Sequence, residues 1–156
     1  MVDVTDLKKI NFTKELPDGV LEKISTVAQM ETFDEETILI RQDQPQHLIY
    51  MLVSGRIFLN CRANGGRSYT LDELTPGQTF GLSALFDNSP STYTAICAED
   101  STVITIASAQ LLQLFESDYA TGFQVMQQVV EKFKKRMNRH TQLFMEALST
   151  HPAISA

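Results

Sequence analysis

The sequence predicts an α+β protein: an antiparallel β-roll, jelly-roll-like and double-stranded, with a helix before it and a long helix after it. Three observations carry this. Six short runs rich in β-branched and aromatic residues crowd the middle of the chain, and turn-forming residues separate them. The apolar period before and after that region is helical. Strand-like and helix-like segments do not alternate, so helices and sheet are segregated.

The elements follow in order. Residues 1–15 are mixed and read as an N-terminal arm or a short helix. LPDGVLEKISTVAQM (16–30) places Val20, Leu21, Ile24, Val27 and Ala28 at helical spacing, with Pro17 near the start. TILI (37–40), HLIYMLVSG (47–55), RIFLNC (56–61), SYTLDEL (68–74), TYTAICA (92–98) and STVITIA (101–107) read as strands of a roll of about eight. QDQPQ, NGG (64–66), TPG (75–77) and DNSP (87–90) are their turns, and NGG between two strand-like runs is a hairpin signal. SAQLLQLFES opens a helical region with Ser108 as its N-cap. The segment 118–149 then carries Phe123, Met126, Val130, Phe133, Met137, His140, Phe144 and Ala147 at alternating steps of four and three. Seven of the eight are apolar. That spacing marks a helix packed along one seam on another helix, so a homodimer is expected through these residues. The roll and the long helix form one domain, 16–149, and 150–156 are a tail.

Composition narrows the function. The chain has 156 residues, a formal net charge of −6, and 43% hydrophobic content. It is long enough for one well-cored domain. The negative charge argues against nucleic acid as a partner, because phosphate affinity comes mostly from Lys and Arg. The basic cluster KFKKRMNR (132–139) reads as the solvated face of a helix. No apolar run approaches the roughly 20 residues that span a bilayer, so no membrane partner is expected. Two cysteines, Cys61 and Cys97, are too few for an iron–sulfur cluster or a four-cysteine zinc site. They read as buried, reduced strand residues of a cytoplasmic protein. His47, His140 and His151 lack metal-ligand spacing, and His140 reads as an interface residue. No nucleophile–base pair stands out, and Ser83, Ser89 and Ser91 have no nucleophile-elbow context. No enzyme activity and no cofactor are expected.

Three stretches then carry a resemblance: ILIRQDQPQHLIYMLVSGRIFL, PGQTFG (76–81) and FGLSALFDNSPST (80–92), followed by a short and a long helix. Over residues 12–145 the pattern resembles the cyclic-nucleotide-binding domain of the catabolite-activator/FNR-type regulators. The resemblance implies a ligand pocket built on Phe80, Gly81, Leu82, Ser83, Ala84, Leu85, Pro90, Ser91 and Thr92. Backbone N–H groups near Leu82 to Ala84 would face a cyclic phosphate. Gly55, Gly77 and Gly81 would occupy turns that need a positive φ.

The same resemblance exposes two departures. The family's ribose-binding Glu falls at Leu82, and its phosphate-pairing Arg falls at Ser91. No Glu, Lys or Arg occurs anywhere in residues 80–95. Losing the Arg alone costs about 2–5 kcal/mol. Restoring both side chains is expected to restore affinity. Arg136, on the long helix, completes the candidate pocket: it reads first as solvated beside Lys134, Lys135 and Arg139, and second as a substitute cation reaching an anionic ligand. The family's transcription factors continue into a helix-turn-helix unit, and none is read after residue 149. The expectation is a stand-alone sensor or regulatory module for a small effector other than a cyclic nucleotide. The alternatives are a ligand-free structural or interaction module that docks on a protein partner, and the sensor part of a Crp/Fnr-type regulator whose DNA-binding domain is absent.

Overall fold

Side chains alternate along β3 (Leu48–Ser54), with Ile49 and Met51 on one face and Tyr50 and Leu52 on the other. All four are buried, so this strand is covered on both sides. Ile49 and Met51 join a core shared with the helices, and Tyr50 and Leu52 join a core between two sheets. The computed structural model describes residues 1–86 and 90–151.

Eight strands among the described residues form two four-stranded antiparallel sheets. The first has the order β1 (Ala28–Phe33), β8 (Ser101–Ala107), β3, β6 (Thr79–Phe80). The second has the order β2 (Ile38–Ile40), β7 (Thr94–Cys97), β4 (Ile57–Arg62), β5 (Ser68–Leu74). Val103, Ile57, Leu59, Ala95 and Cys97 fill the space between them. The first sheet turns Ile104 and Ile106 outward onto α1 (Val4–Leu7), α2 (Asp18–Ser25), α3 (Ser108–Ser117) and α4 (Tyr119–Thr150). The NGG hairpin joins β4 to β5, closed by the Ala63 N–H donating to the Arg67 carbonyl at 2.8 Å. This is the expected α+β roll.

Several expectations change in detail. The helix read over 16–30 stops at Ser25, and Ala28 already pairs with Ile106 as the first residue of β1. Val27 and Ala28 fit either period, and the partner strand decides. Residues 1–15 hold the short helix α1, and Val2, Leu7, Ile10 and Phe12 are buried in the helical core. Ser108 does not cap α3 with its side chain; Ala107 holds the cap position, and the Ser108 N–H donates to the His47 carbonyl at 2.9 Å. Cys97 is buried, whereas Cys61 is only half-buried. Of the DNSP turn, residues 87–89 lie outside the described residues, and Pro90 bridges Pro45. No helix among the described residues is long and apolar enough to cross a membrane.

Two contacts fix the long helix at its start. Asp118 caps α4 by accepting the Thr121 N–H at 3.2 Å, and it also pairs with Lys23 of α2. Lys23 first, then Thr121, hold its carboxyl at about 2. Further along, Val125 and Val129 are buried against the roll and its N-terminal helices.

Gly55 turns β3 into β4 with φ +98°. A Cβ there would stand 2.7 Å from the Asp100 carbonyl oxygen and 2.7 Å from the Ser101 Cα. Gly55→Ala is therefore expected to cost about 2–3 kcal/mol, from left-handed strain plus a clash with rigid backbone. Gly65→Ala, at φ +94° with nothing within 4 Å of its Cβ, isolates the strain alone at about 1 kcal/mol. Thermal melts of the two variants check this, and equal melting temperatures would refute it.

Candidate functional site

A cleft of about 370 Å³ opens between the roll and α4. Its size lies at the low end of small-molecule sites, about 300–1,000 Å³. The roll side mixes apolar and polar side chains: Leu59, Leu71, Leu74, Phe80 and Leu82, with Asn11, Gln78, Thr79, Ser83, Thr92 and Tyr93 among them. Phe80 is held by stacking on Tyr50, with centroids 4.9 Å apart.

The loop after β6 is built around Gly81. Its φ is +81°, and a Cβ would stand 2.8 Å from the Leu48 carbonyl. A short 3-10 turn, Leu82–Leu85, follows. The Gly81 N–H donates to the Tyr93 hydroxyl at 2.9 Å, and the Ala84 N–H donates to the Gly81 carbonyl at 3.1 Å. The Ala84 donor, expected to face a ligand, is thus engaged inside the turn. Burial pushes the Tyr93 phenol up, and the Gly81 N–H and Arg136 pull it partly back.

Of the residues expected to form the pocket, Phe80, Leu82, Ser83, Thr92 and Arg136 line the cleft. Gly81 shapes the turn. Ala84 and Leu85 face the helical core. Pro90 bridges Pro45 at the far end of the loop. Ser91 is buried and closed on its neighbour: its hydroxyl donates to the Tyr93 carbonyl at 2.6 Å and accepts the Tyr93 N–H at 3.2 Å.

The helix side is charged. Lys132, Lys135, Arg136, Arg139 and His140 line it, with Glu131 beside them and Asp72 facing them from β5. Arg139 pairs with Asp72 at 2.7 Å. Arg136 is half-buried and lies over the Tyr93 ring, with Cζ 5.4 Å from the centroid. Its first reading as a solvated residue is therefore corrected. Burial, and then Arg136, push the Lys132 ammonium below the usual lysine range, while Asp72 opposes them. Sequence reasoning missed Thr79, Tyr93 and Lys132. A second stripe on α4 held the signal for Lys132: Gly122, Val125, Val129, Lys132, Arg136, Arg139 and Leu143 share the same steps of three and four.

The seam read from the sequence divides between two surroundings. Phe123, Val130, Met137 and Phe144 recur every seven residues and are 62–66% exposed. Met126 and Phe133 are partly buried against the core, and Phe133 touches Phe86 with centroids 6.0 Å apart. Phe133 and His140 also line the cleft, and Ala147 is exposed near the helix end. No group of three His, Cys, Asp or Glu residues suited to a metal ion occurs among the described residues.

A roll of two antiparallel sheets, a Gly-initiated turn and a long helix over a cleft together make up the domain. Residues 30–118 match the cyclic nucleotide-binding domain family, and the chain belongs to it. No curated protein sequence matches the chain significantly. Among solved structures, it is similar to a cyclic nucleotide-binding domain from Methylobacillus flagellatus, at 13% identity and TM-score 0.81, over 96% of this chain and 84% of that one. It is similar to the catabolite activator protein of Thermus thermophilus, at 21% identity and TM-score 0.74, over 88% of this chain and 62% of that one. It is also similar to the regulatory subunit of a cAMP-independent protein kinase A from Trypanosoma brucei, at 13% identity and TM-score 0.69, over 86% of this chain and 50% of that one. At such identities the likeness is one of fold.

Proposed function

We propose that this domain is a sensor whose cleft takes a small effector other than a cyclic nucleotide, and whose α4 carries the response to a second copy of the chain. One observation supports it above all. A single helix lines the cleft with one face and exposes an apolar row, Phe123, Val130, Met137 and Phe144, on another. An effector that prefers one packing of α4 on the roll shifts the population of that packing. The exposed row moves with it. A two-fold pair of such rows would bury both at once. The Thermus and Trypanosoma likenesses support a regulatory role, and the latter protein is described as cAMP-independent. The missing Glu and Arg, together with Tyr93 on the Gly81 N–H, support an effector of different chemistry. Native mass spectrometry of the freshly purified protein, with a thermal-shift screen of metabolites, tests the reading. A dimer that carries or is stabilised by a small organic molecule is expected. A bare chain that no metabolite stabilises would point instead to a ligand-free interaction module.

A further inference from the structure

The face of α4 that packs on the roll changes character halfway along. Gly122, Val125 and Val129 are buried there. The next positions of the same stripe are Lys132, Arg136 and Arg139, and they stand over the cleft. The opposite wall mixes apolar side chains with Asn11, Gln78, Thr79, Ser83 and Thr92, and among the described residues Asp72 is the one carboxylate that lines it. Three cations therefore face a single anionic side chain across the cleft. Arg139 has Asp72 as its partner. Among the described residues, Lys132 and Arg136 have no ion-pair partner, and both are half-buried. Like charges drawn partly out of water beside each other are unfavourable until an anion joins them.

The roll supplies an independent observation. Thr79 is 3% exposed and lines the cleft, and its hydroxyl has no hydrogen-bond partner. A buried hydroxyl without a partner calls for an explanation, and an occupant of the cleft would supply the missing bond. The two observations lie on facing walls of one cavity.

We propose that the cleft binds a small organic anion: Lys132 and Arg136 hold its charge from the helix, Thr79 hydrogen-bonds it from the roll, and Leu59, Leu74 and Phe80 pack its apolar body. This rests on the reading of the cleft as an effector site. The charge comes from α4 and not from the loop after Gly81, the reverse of what the family resemblance implies. Carboxylates and phosphates share the required chemistry, with Arg136 offering a planar fork and Lys132 a point charge.

Calorimetric titration of the full chain with phenylacetate, phenyl phosphate, neutral phenylacetamide and inorganic phosphate tests it. Both aromatic anions are expected to bind in the millimolar range or tighter, and the tighter of them names the head group. Phenylacetamide should bind at least about tenfold more weakly than phenylacetate, and inorganic phosphate more weakly than phenyl phosphate. Lys132→Gln and Arg136→Gln should each weaken the anions at least about tenfold, and Thr79→Val should weaken them as well. Lys134→Gln, exposed and outside the cleft, should change nothing. If Arg136→Gln fails to fold, Lys132→Gln decides. Failure of all four probes to bind, or unchanged affinity in Lys132→Gln, overturns the proposal. Phenylacetamide binding as tightly as phenylacetate overturns the charge assignment but leaves the cleft an effector site. Anion binding that leaves hydrogen exchange along α4 unaltered keeps the assignment and overturns the sensor reading.

Discussion

If α4 pairs with a second copy, as proposed, replacing Val130 and Met137 with Glu is expected to give a folded monomer. Both side chains are 63% exposed in the single chain, so the substitutions remove no core packing. In a two-fold pair through the exposed row, each would face its own copy, and four carboxylates would meet in one apolar strip. Like-charge contacts of this kind cost several kcal/mol, so the dimer should weaken by roughly a thousandfold or more. Light scattering at micromolar concentration measures the mass, and circular dichroism checks that the melting temperature holds. A wild type that is cleanly monomeric under those conditions would end the dimer reading. Phe133→Glu serves as a contrast: Phe133 packs on the core and on Phe86, so that substitution should lower the melting temperature.

How much of this was legible in the sequence depends on which partner each residue meets. The roll was legible because Ile49, Met51, Tyr50 and Leu52 alternate within a β-branched and aromatic run, and because NGG and Gly55 permit few other turns. β1 was not, since AQMETF has no clear alternation of apolar and polar residues and gains its identity from pairing with β8. The seam of α4 was legible as a period but not as a surface. Phe123 and Phe133 look alike in the sequence, yet one is exposed and the other packs beside the cleft. The cationic stripe was hidden for a related reason. A run of Lys and Arg on a helix reads as solvated, and only the placement of β4 and β5 opposite Lys132 and Arg136 shows them half-enclosed. Tyr93 was invisible as a site residue because its role depends on a hydrogen bond across the loop to Gly81.

If the cleft is an effector site, as proposed, the two faces of α4 set what a ligand must do to be sensed. Residues that meet the cleft and residues that meet solvent alternate within each turn, so the helix cannot rotate at one face alone. The pairing of Asp118 with Lys23 fixes its start on α2. Its second half, from Met137 onward, is almost wholly exposed. On the proposed sensor reading, motion in response to an occupied cleft is expected beyond Val129, where buried apolar residues on the cleft-facing stripe give way to Lys132, Arg136 and Arg139.

Cyclic AMP and cyclic GMP are expected to bind more weakly than about 100 μM, roughly −5.5 kcal/mol. By resemblance, the ribose hydroxyl would need a carboxylate where Leu82 lies buried, and the phosphate would need a guanidinium where Ser91 is closed on Tyr93. The structure adds a third obstacle, since the Tyr93 hydroxyl already occupies the Gly81 N–H. The cations of α4 attract any anion, so weak binding is expected to be indifferent to the cyclic ester: cyclic AMP and AMP should differ by less than about threefold. The structure also changes what a rescue requires. Leu82→Glu with Ser91→Arg, the repair that the sequence alone prescribes, should give no gain while Tyr93 fills the turn. Adding Tyr93→Ala frees the Gly81 donor and opens space, and that triple variant should gain at least about tenfold for cyclic AMP over AMP. Calorimetry on the wild type, the double and the triple variant measures each step, with thermal melts to establish that each is folded. Micromolar affinity of the wild type for either cyclic nucleotide would overturn the account of the loop. A gain already present in the double variant would show instead that Tyr93 is no obstacle and that the two lost side chains were the whole difference.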